Sequence, residues 1–262
     1  MAVCTLLVFA RAPVAGQVKT RLFRADPATA VAALGRTLDA DDAARLHAAF
    51  VGDVLCKGAS AGFSRRVLYA ADREEHPVLT ELARVHGYER QVQRGPDLGA
   101  RMATAIADQL GVLQEPVGDE GSASSSVVLI GTDSPTLPVT YLREAATALG
   151  QGMDVVLGPA CDGGYYLIGM RRVLPDLFPT DMPWGTAEVL PRTLSILRAL
   201  AKQGLRCHLL PFFNDCDTPS DLRLLRDQLA LAAQRDALWH GDPAQAIHAD
   251  ATAAVLRQLN LL

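Results

Sequence analysis

Four short stretches of the chain combine acids, cations and glycines at spacings that suit chemistry on a phosphorylated substrate. The first, Arg11-Ala-Pro-Val-Ala-Gly16-Gln-Val-Lys19-Thr20-Arg21-Leu22, packs one glycine and three cations into a turn. Backbone N–H groups of such a loop can close around phosphate oxygens, with Lys as a point charge and Arg as a fork. It matches neither G-x-G-x-x-G nor G-x-x-x-x-G-K-[ST], which argues against a dehydrogenase-type dinucleotide fold and a P-loop NTPase. A solvated basic turn is the plainer reading. The second stretch, Thr132-Asp133-Ser134-Pro135, follows the apolar run Val127 to Gly131. A carboxylate there can hold Mg²⁺ through one oxygen while substrate phosphates supply others, making Asp133 the first candidate ligand. Asp before Ser-Pro is equally a turn device.

The third stretch, Cys161-Asp162-Gly163-Gly164-Tyr165-Tyr166, allows close backbone approach before two tyrosines enter a strand, and suits a hydroxyl-rich or phosphorylated acceptor. Asp-Gly-Gly is also an ordinary hairpin, and Cys161 reads as a small buried packing residue. The fourth, Asn214-Asp215-Cys216-Asp217-Thr218, sets two acids one residue apart after the last strand. If that strand runs beside the one ending at Asp133, Asp217 and Asp133 meet on one metal ion; otherwise both acids merely cap the following helix.

These stretches follow apolar, β-prone runs at Cys4 to Ala10, Arg66 to Ala71, Val127 to Gly131, Asp154 to Gly158, Tyr165 to Met170 and Arg206 to Phe212. Helical periodicity lies between them: Leu46, Phe50 and Val54; Val78 to Gly87; Leu98 to Leu113; and the stripe from Leu190 to Ala201. Thr218-Pro219 with Asp221 starts a further helix, and Ala244 to Leu259 reads as another. Glu115 to Ser126 is of low complexity and reads as a surface loop. The alternation predicts a three-layer α/β/α sandwich on a mainly parallel sheet, where ligands bind beyond the carboxyl ends of the strands. One domain over residues 1–237 is expected, with 238–262 a helical tail packed on it or on a partner in a possible homodimer.

The 262 residues are 49% hydrophobic and 21% charged, ample for a core. A net charge of −4 disfavours DNA or RNA as a partner. Five scattered cysteines without a C-x-x-C pair exclude a disulfide framework and a zinc knuckle, and imply a reducing compartment. No run approaches the length of a membrane span, so the expectation is a cytoplasmic protein. The one Gly-x-Ser-x-Gly match, Gly58 to Gly62, follows the helical stripe and not a β-prone run, so it is no nucleophile elbow, and no His-x-x-x-His pair occurs; serine hydrolase and zinc enzyme readings both fail.

Taken in order, Phe9 to Leu22, Asp97-Leu-Gly-Ala-Arg-Met, Gly131-Thr-Asp-Ser-Pro-Thr-Leu-Pro, Asp162-Gly-Gly-Tyr-Tyr-Leu-Ile-Gly, Pro183-Trp-Gly-Thr and Asp215-Cys-Asp-Thr-Pro-Ser-Asp-Leu resemble a family of bacterial glycosyltransferases. That family belongs to the nucleotide-diphospho-sugar transferase superfamily, with the type A glycosyltransferase fold, and some members are associated with radical-SAM or arsenosugar pathways. The family pattern has Lys at Arg11, Pro at Ala15 and an aliphatic residue at Cys216.

The resemblance implies that Ala10, Arg11, Ala12, Pro13, Gly16, Lys19 and Arg21 cradle nucleotide phosphates, that Leu98, Gly99, Arg101 and Thr132 lie beside the base or phosphates, and that Asp133 and Asp217 hold Mg²⁺ or Mn²⁺. Asp162, Gly163, Gly164, Tyr165, Trp184, Gly185 and Thr186 would face the acceptor or sugar, with Trp184 either packing on a sugar ring or serving the core. The metal with Lys19 and Arg21 would stabilise the departing phosphates, and Asp162 could act as base for an acceptor hydroxyl. The implied reaction is glycosyl transfer from a nucleotide sugar to a small acceptor. The first and last motifs are also similar to phospholactate and molybdenum-cofactor guanylyltransferases, which keeps open nucleotidyl transfer from a nucleoside triphosphate to a phosphorylated acceptor. A binding module without turnover is the third reading.

Overall fold

The computed structural model describes residues 3–71, 75–113, 125–234 and 248–262. Seven strands form one sheet: β1 (Cys4–Ala10), β2 (Arg65–Ala70), β3 (Glu89–Val92), β4 (Ser126–Ile130), β5 (Val155–Pro159), β6 (Tyr165–Met170) and β7 (Cys207–Leu209). Their order is β3-β2-β1-β4-β6-β5-β7. All neighbours are parallel except β6, which runs antiparallel to both β4 and β5. The reversal comes from the tight turn after β5, where Ala160 N donates to Gly164 O at 3.0 Å. Asp162-Gly-Gly is therefore a hairpin tip.

Every residue of β1 is buried, as expected of a central strand covered on both faces. Leu6, Val8 and Ala10 face a cluster shared with α3 (Ala40–Ser60), α4 (Pro77–His86) and α6 (Val139–Gly150). Leu7 and Phe9 face the opposite cluster, with α5 (Leu98–Leu113) and α7 (Val189–Ala201). The architecture is the expected α/β/α sandwich. The stripe Leu46, Phe50 and Val54 is core, at 0%, 0% and 3% exposure.

The first motif ends inside a short helix, α1 (Thr20–Phe23), and a second, α2 (Pro27–Leu34), follows it. The helix α8 (Pro219–Ala233) begins as expected, with Thr218 and Asp221 completing a reciprocal cap. The last helix, α9 (Asp250–Gln258), packs on α3, where the Asp53 carboxylate accepts from the backbone N–H groups of Ala251 and Thr252 at 3.0 and 2.8 Å. The expected helical residues 244–247, and nearly all of the low-complexity stretch, lie outside the described residues. Ser126, expected in that stretch, is instead a buried residue opening β4. Arg206 to Phe212 contributes only three strand residues, because β7 is a sheet edge.

Candidate active site

A cleft of about 650 Å³ opens at the carboxyl ends of β1, β2 and β4. It is lined by Ala10, Arg11, Lys19, Arg21, Leu98, Arg101, Thr132, Asp133, Asp162, Gly164, Tyr165, Trp184, Gly185, Thr186 and Asp217, together with residues the motifs did not single out. Of the other expected residues, Ala12, Pro13, Gly16, Gly99 and Gly163 do not line it. Gly99 and Gly163 pack closely against its surroundings. A side chain at Gly99 would overlap the Trp184 indole, and one at Gly163, where φ is +91°, would meet the backbone of Ala187.

The centre of the cleft is a knot tied by Lys19. Its ammonium donates to Asp133 Oδ1 at 2.5 Å, to Asp217 Oδ1 at 2.9 Å and to the Cys216 carbonyl at 2.8 Å. All three N–H donors thus go to protein oxygens, and the side chain is only 3% exposed. Burial alone would push this lysine's pKa down, but Asp133 and Asp217 outweigh it and the pKa is raised, so Lys19 stays charged. The backbone at Lys19 sits in the left-handed region, φ 47° and ψ 40°, a conformation non-glycine residues adopt at a cost of about 1 kcal/mol. The knot holds it there.

This differs from the expectation in two ways. Lys19 grips the two acids and does not present its ammonium to a substrate phosphate; the exposed cations are Arg11 and Arg21. Asp133 and Asp217 do come together, but not because the last strand adjoins β4: β7 lies at the edge, with β6 and β5 between. The chain instead crosses the strand tips, bridging Ala160 to Phe213 and donating from Cys216 N to the Asp133 carbonyl at 2.8 Å. The acid cap of α8 is Asp221, so Asp217 is free for the knot.

The residues of the knot fit a phosphate-borne divalent ion better than a protein cage. Each carboxylate spends one oxygen on Lys19, while the side chains of Asp133 and Asp217 remain 46% and 34% exposed. Among the described residues no group of three or more His, Cys, Asp or Glu could hold a metal alone. Two hard carboxylate oxygens completed by substrate phosphates are how Mg²⁺ is commonly bound.

Beside the knot, Asp215 is a different kind of acid. Ser134 Oγ donates to it at 2.5 Å, no cation forms an ion pair with it among the described residues, and burial, with Asp133 and Asp162 nearby, pushes its pKa up to about 7 against the smaller pull of Lys19. At the hairpin tip Asp162 is exposed, and one carboxylate oxygen accepts from Gly164 N at 2.8 Å. Cys161, expected to be buried, is exposed. Trp184 stacks on Phe178 and meets Tyr165 edge-on, each at 6.5 Å between ring centres, so it serves the core and still offers a face to the cleft.

His47 and Gln93 also line the cleft, and no motif pointed to them. His47, on α3 and 4% exposed, has Nε2 3.1 Å from the Arg11 carbonyl. Because a carbonyl only accepts, Nε2 carries the proton, leaving Nδ1 buried and unpaired among the described residues. Burial pushes its pKa down and keeps it neutral.

A model of a family of uncharacterized proteins conserved in bacteria (DUF2064) matches residues 55–186, half of the sequence. The chain belongs to this family. It is similar to a crystal structure provisionally named a nucleotide-diphospho-sugar transferase, from Desulfovibrio desulfuricans G20, at 28% identity over 99% of this chain and 96% of that one, with a TM-score of 0.69. A cytidylyltransferase from Leptospira borgpetersenii covers the same shares at 12% identity and a TM-score of 0.52, a likeness of fold. No curated protein matches the chain. Fold and family agree with the resemblance read from the motifs: the chain has the nucleotide-diphospho-sugar transferase fold, and both similar structures carry transferase names. No described helix is long and apolar enough to cross a membrane.

Proposed function

We propose that this member of the family is a transferase acting on a nucleotide-activated donor, and that it moves the glycosyl group of a nucleotide sugar to the hydroxyl of a small acceptor. The observation that carries the reading is the Lys19 knot, which sets Asp133 and Asp217 at the strand tips facing a cleft that Arg11 and Arg21 also line. Glycosyl transfer leaves a nucleoside diphosphate whose charge grows as the bond breaks. Guanidinium groups at Arg11 and Arg21 would meet the diphosphate oxygens, where charge-assisted hydrogen bonds stabilise developing charge.

Asp133 and Asp217 would hold Mg²⁺ or Mn²⁺ through the oxygens that Lys19 leaves unused; such an ion neutralises phosphate charge. Asp162 would take the proton of the acceptor hydroxyl, and Trp184 would offer its ring face to the sugar. Lys19 contributes indirectly, by keeping two like charges close without mutual repulsion.

The test is product analysis. Incubation with Mg²⁺, a panel of nucleotide sugars and small hydroxylic acceptors should release nucleoside diphosphate, and Asp133→Ala should abolish the release. Pyrophosphate release from a nucleoside triphosphate would replace glycosyl transfer with nucleotidyl transfer. Mg²⁺-dependent nucleotide binding without consumption of any donor would reduce the protein to a binding module.

A further inference from the structure

Gln93 follows β3 and lines the cleft. It is fixed twice to β2: its backbone N donates to Ala70 O, and its side-chain Nε2 donates to Tyr69 O, both at 2.9 Å. A backbone carbonyl can only accept, so the amide atom facing it is the NH₂ and this bond also fixes which way round the amide lies. The oxygen Oε1 is thereby fixed as well. No described residue donates to it, and it is not among the buried unpaired polar atoms, so among the described residues it is an accessible acceptor on a cleft-lining residue.

The surroundings suit a flat ring. Ala10 and Ala71, at the tips of β1 and β2, line the same cleft with minimal bulk, and Leu98 at the start of α5, an apolar residue 44% exposed, lines it too. With strands about 4.8 Å apart, the tip of β3 lies roughly 10 Å from that of β1, where the Arg11 loop begins. That is the scale of a nucleoside between its 5′ oxygen and the far edge of its base. The carboxylates Asp162 and Asp215 belong to the β5–β7 half, where a hydroxylic group fits better than a phosphate.

We propose that Gln93 reads the base: its Oε1 accepts a hydrogen bond from an exocyclic amino group, so the cleft selects a cytosine, adenine or guanine nucleotide against a uracil one. This rests on the nucleotide-using reading above and adds the base class to it. Uracil carries no amino group. Its one ring N–H on the pairing edge is flanked by two carbonyls, which would bring acceptor oxygens against Oε1.

The experiment is calorimetric binding of CDP, ADP, GDP and UDP, with Mg²⁺, to the full chain and to Gln93→Met, which keeps length and loses the acceptor. The best of the amino-bearing nucleotides is expected to bind at least about tenfold more tightly than UDP, about what one well-made hydrogen bond provides. In Gln93→Met that ratio should fall to within about twofold, and any fall in the thermal midpoint from losing the Nε2 bond to Tyr69 O should be the same whichever nucleotide is present. A wild-type comparison that needs no variant sets the preferred nucleotide beside an analogue lacking its exocyclic amino group, IDP for GDP or ADP and UDP for CDP, and the analogue should bind more weakly. UDP binding as tightly as the best of the others, or a preference that survives in Gln93→Met, overturns the assignment to Gln93. If none of the four binds, the nucleotide-using reading itself fails, an outcome distinct from uniform binding.

Discussion

Asp133 and Asp215 line the same cleft and are joined through adjacent residues, yet their environments push them in opposite directions. For both, loss of water is the largest influence and favours the neutral acid. At Asp133 the Lys19 ammonium at 2.5 Å outweighs it and the carboxyl is held below its usual range. At Asp215 the Ser134 hydroxyl and the weaker pull of Lys19 do not, and the pKa rises to about 7. One buried cation, placed from the first motif, thus divides the cleft into an ionised side that suits metal and phosphate and a side that can carry a proton.

The largest expected effect comes from removing that cation. Lys19→Met leaves Asp133 and Asp217 facing each other without a counter-charge. Breaking a fully buried pair costs about 3–5 kcal/mol, and the partial exposure of both acids lowers this to roughly 2–3 kcal/mol. Denaturant unfolding measures the loss, and Mg²⁺-dependent nucleotide binding should disappear with it. Adding Asp133→Asn should recover part of the stability but not the binding. A double variant no more stable than Lys19→Met would mean that repulsion between the acids is not what Lys19 prevents.

Next in size is the proton on Asp215. Its folded pKa of about 7 lies above the ordinary 3.8, so between those values the native state binds more protons than the unfolded one. Stability from this group is full below about pH 4 and is lost as pH rises toward 7. Asp215→Asn keeps an oxygen for Ser134 and cannot ionise. In metal-free buffer it should therefore be more stable than the wild type at pH 8, by roughly 2–4 kcal/mol, with the gap closing by pH 4. Equal pH profiles for the two proteins would show that Asp215 ionises without penalty.

Much of this cleft was legible in the sequence because turns and caps are local chemistry. Glycines, prolines and acids immediately after apolar runs marked the first motif, the Thr132 to Pro135 turn, the Asp162 hairpin and the cap at Thr218. What stayed hidden depends on contacts between distant segments. The β3 residues Glu-Arg-Gln-Val form a largely exposed edge without an apolar pattern, so neither the strand nor Gln93 beyond it left a signal. The helices α2 and α6 also went unread. The grip of Lys19 on Asp133 joins residues 114 apart, and the path from β7 across the strand tips could not be inferred from the order of elements. His47 shares its helix with the core stripe, where a lone histidine is indistinguishable from packing.

That histidine supplies the smallest effect and the sharpest test of how the ionised side is positioned. Its Nε2–H holds the Arg11 carbonyl, the point where β1 gives way to the cationic loop. His47→Gln can place an amide N–H at the same reach, whereas His47→Asn, shorter by one bond, cannot. The glutamine variant should keep nucleotide affinity within about threefold, while the asparagine variant should lose about tenfold, since an unpaired buried carbonyl costs about 1–3 kcal/mol. The pH response separates the ring's charge from its hydrogen bond. Burial holds the folded pKa of His47 below 6.5, so acidification lets the unfolded state bind a proton that the native state refuses, and stability falls as pH drops beneath that value. His47→Gln should remove this acid sensitivity while retaining binding. If it retains the sensitivity, another group is responsible; if glutamine and asparagine behave alike in binding, the tie to Arg11 does not position the loop.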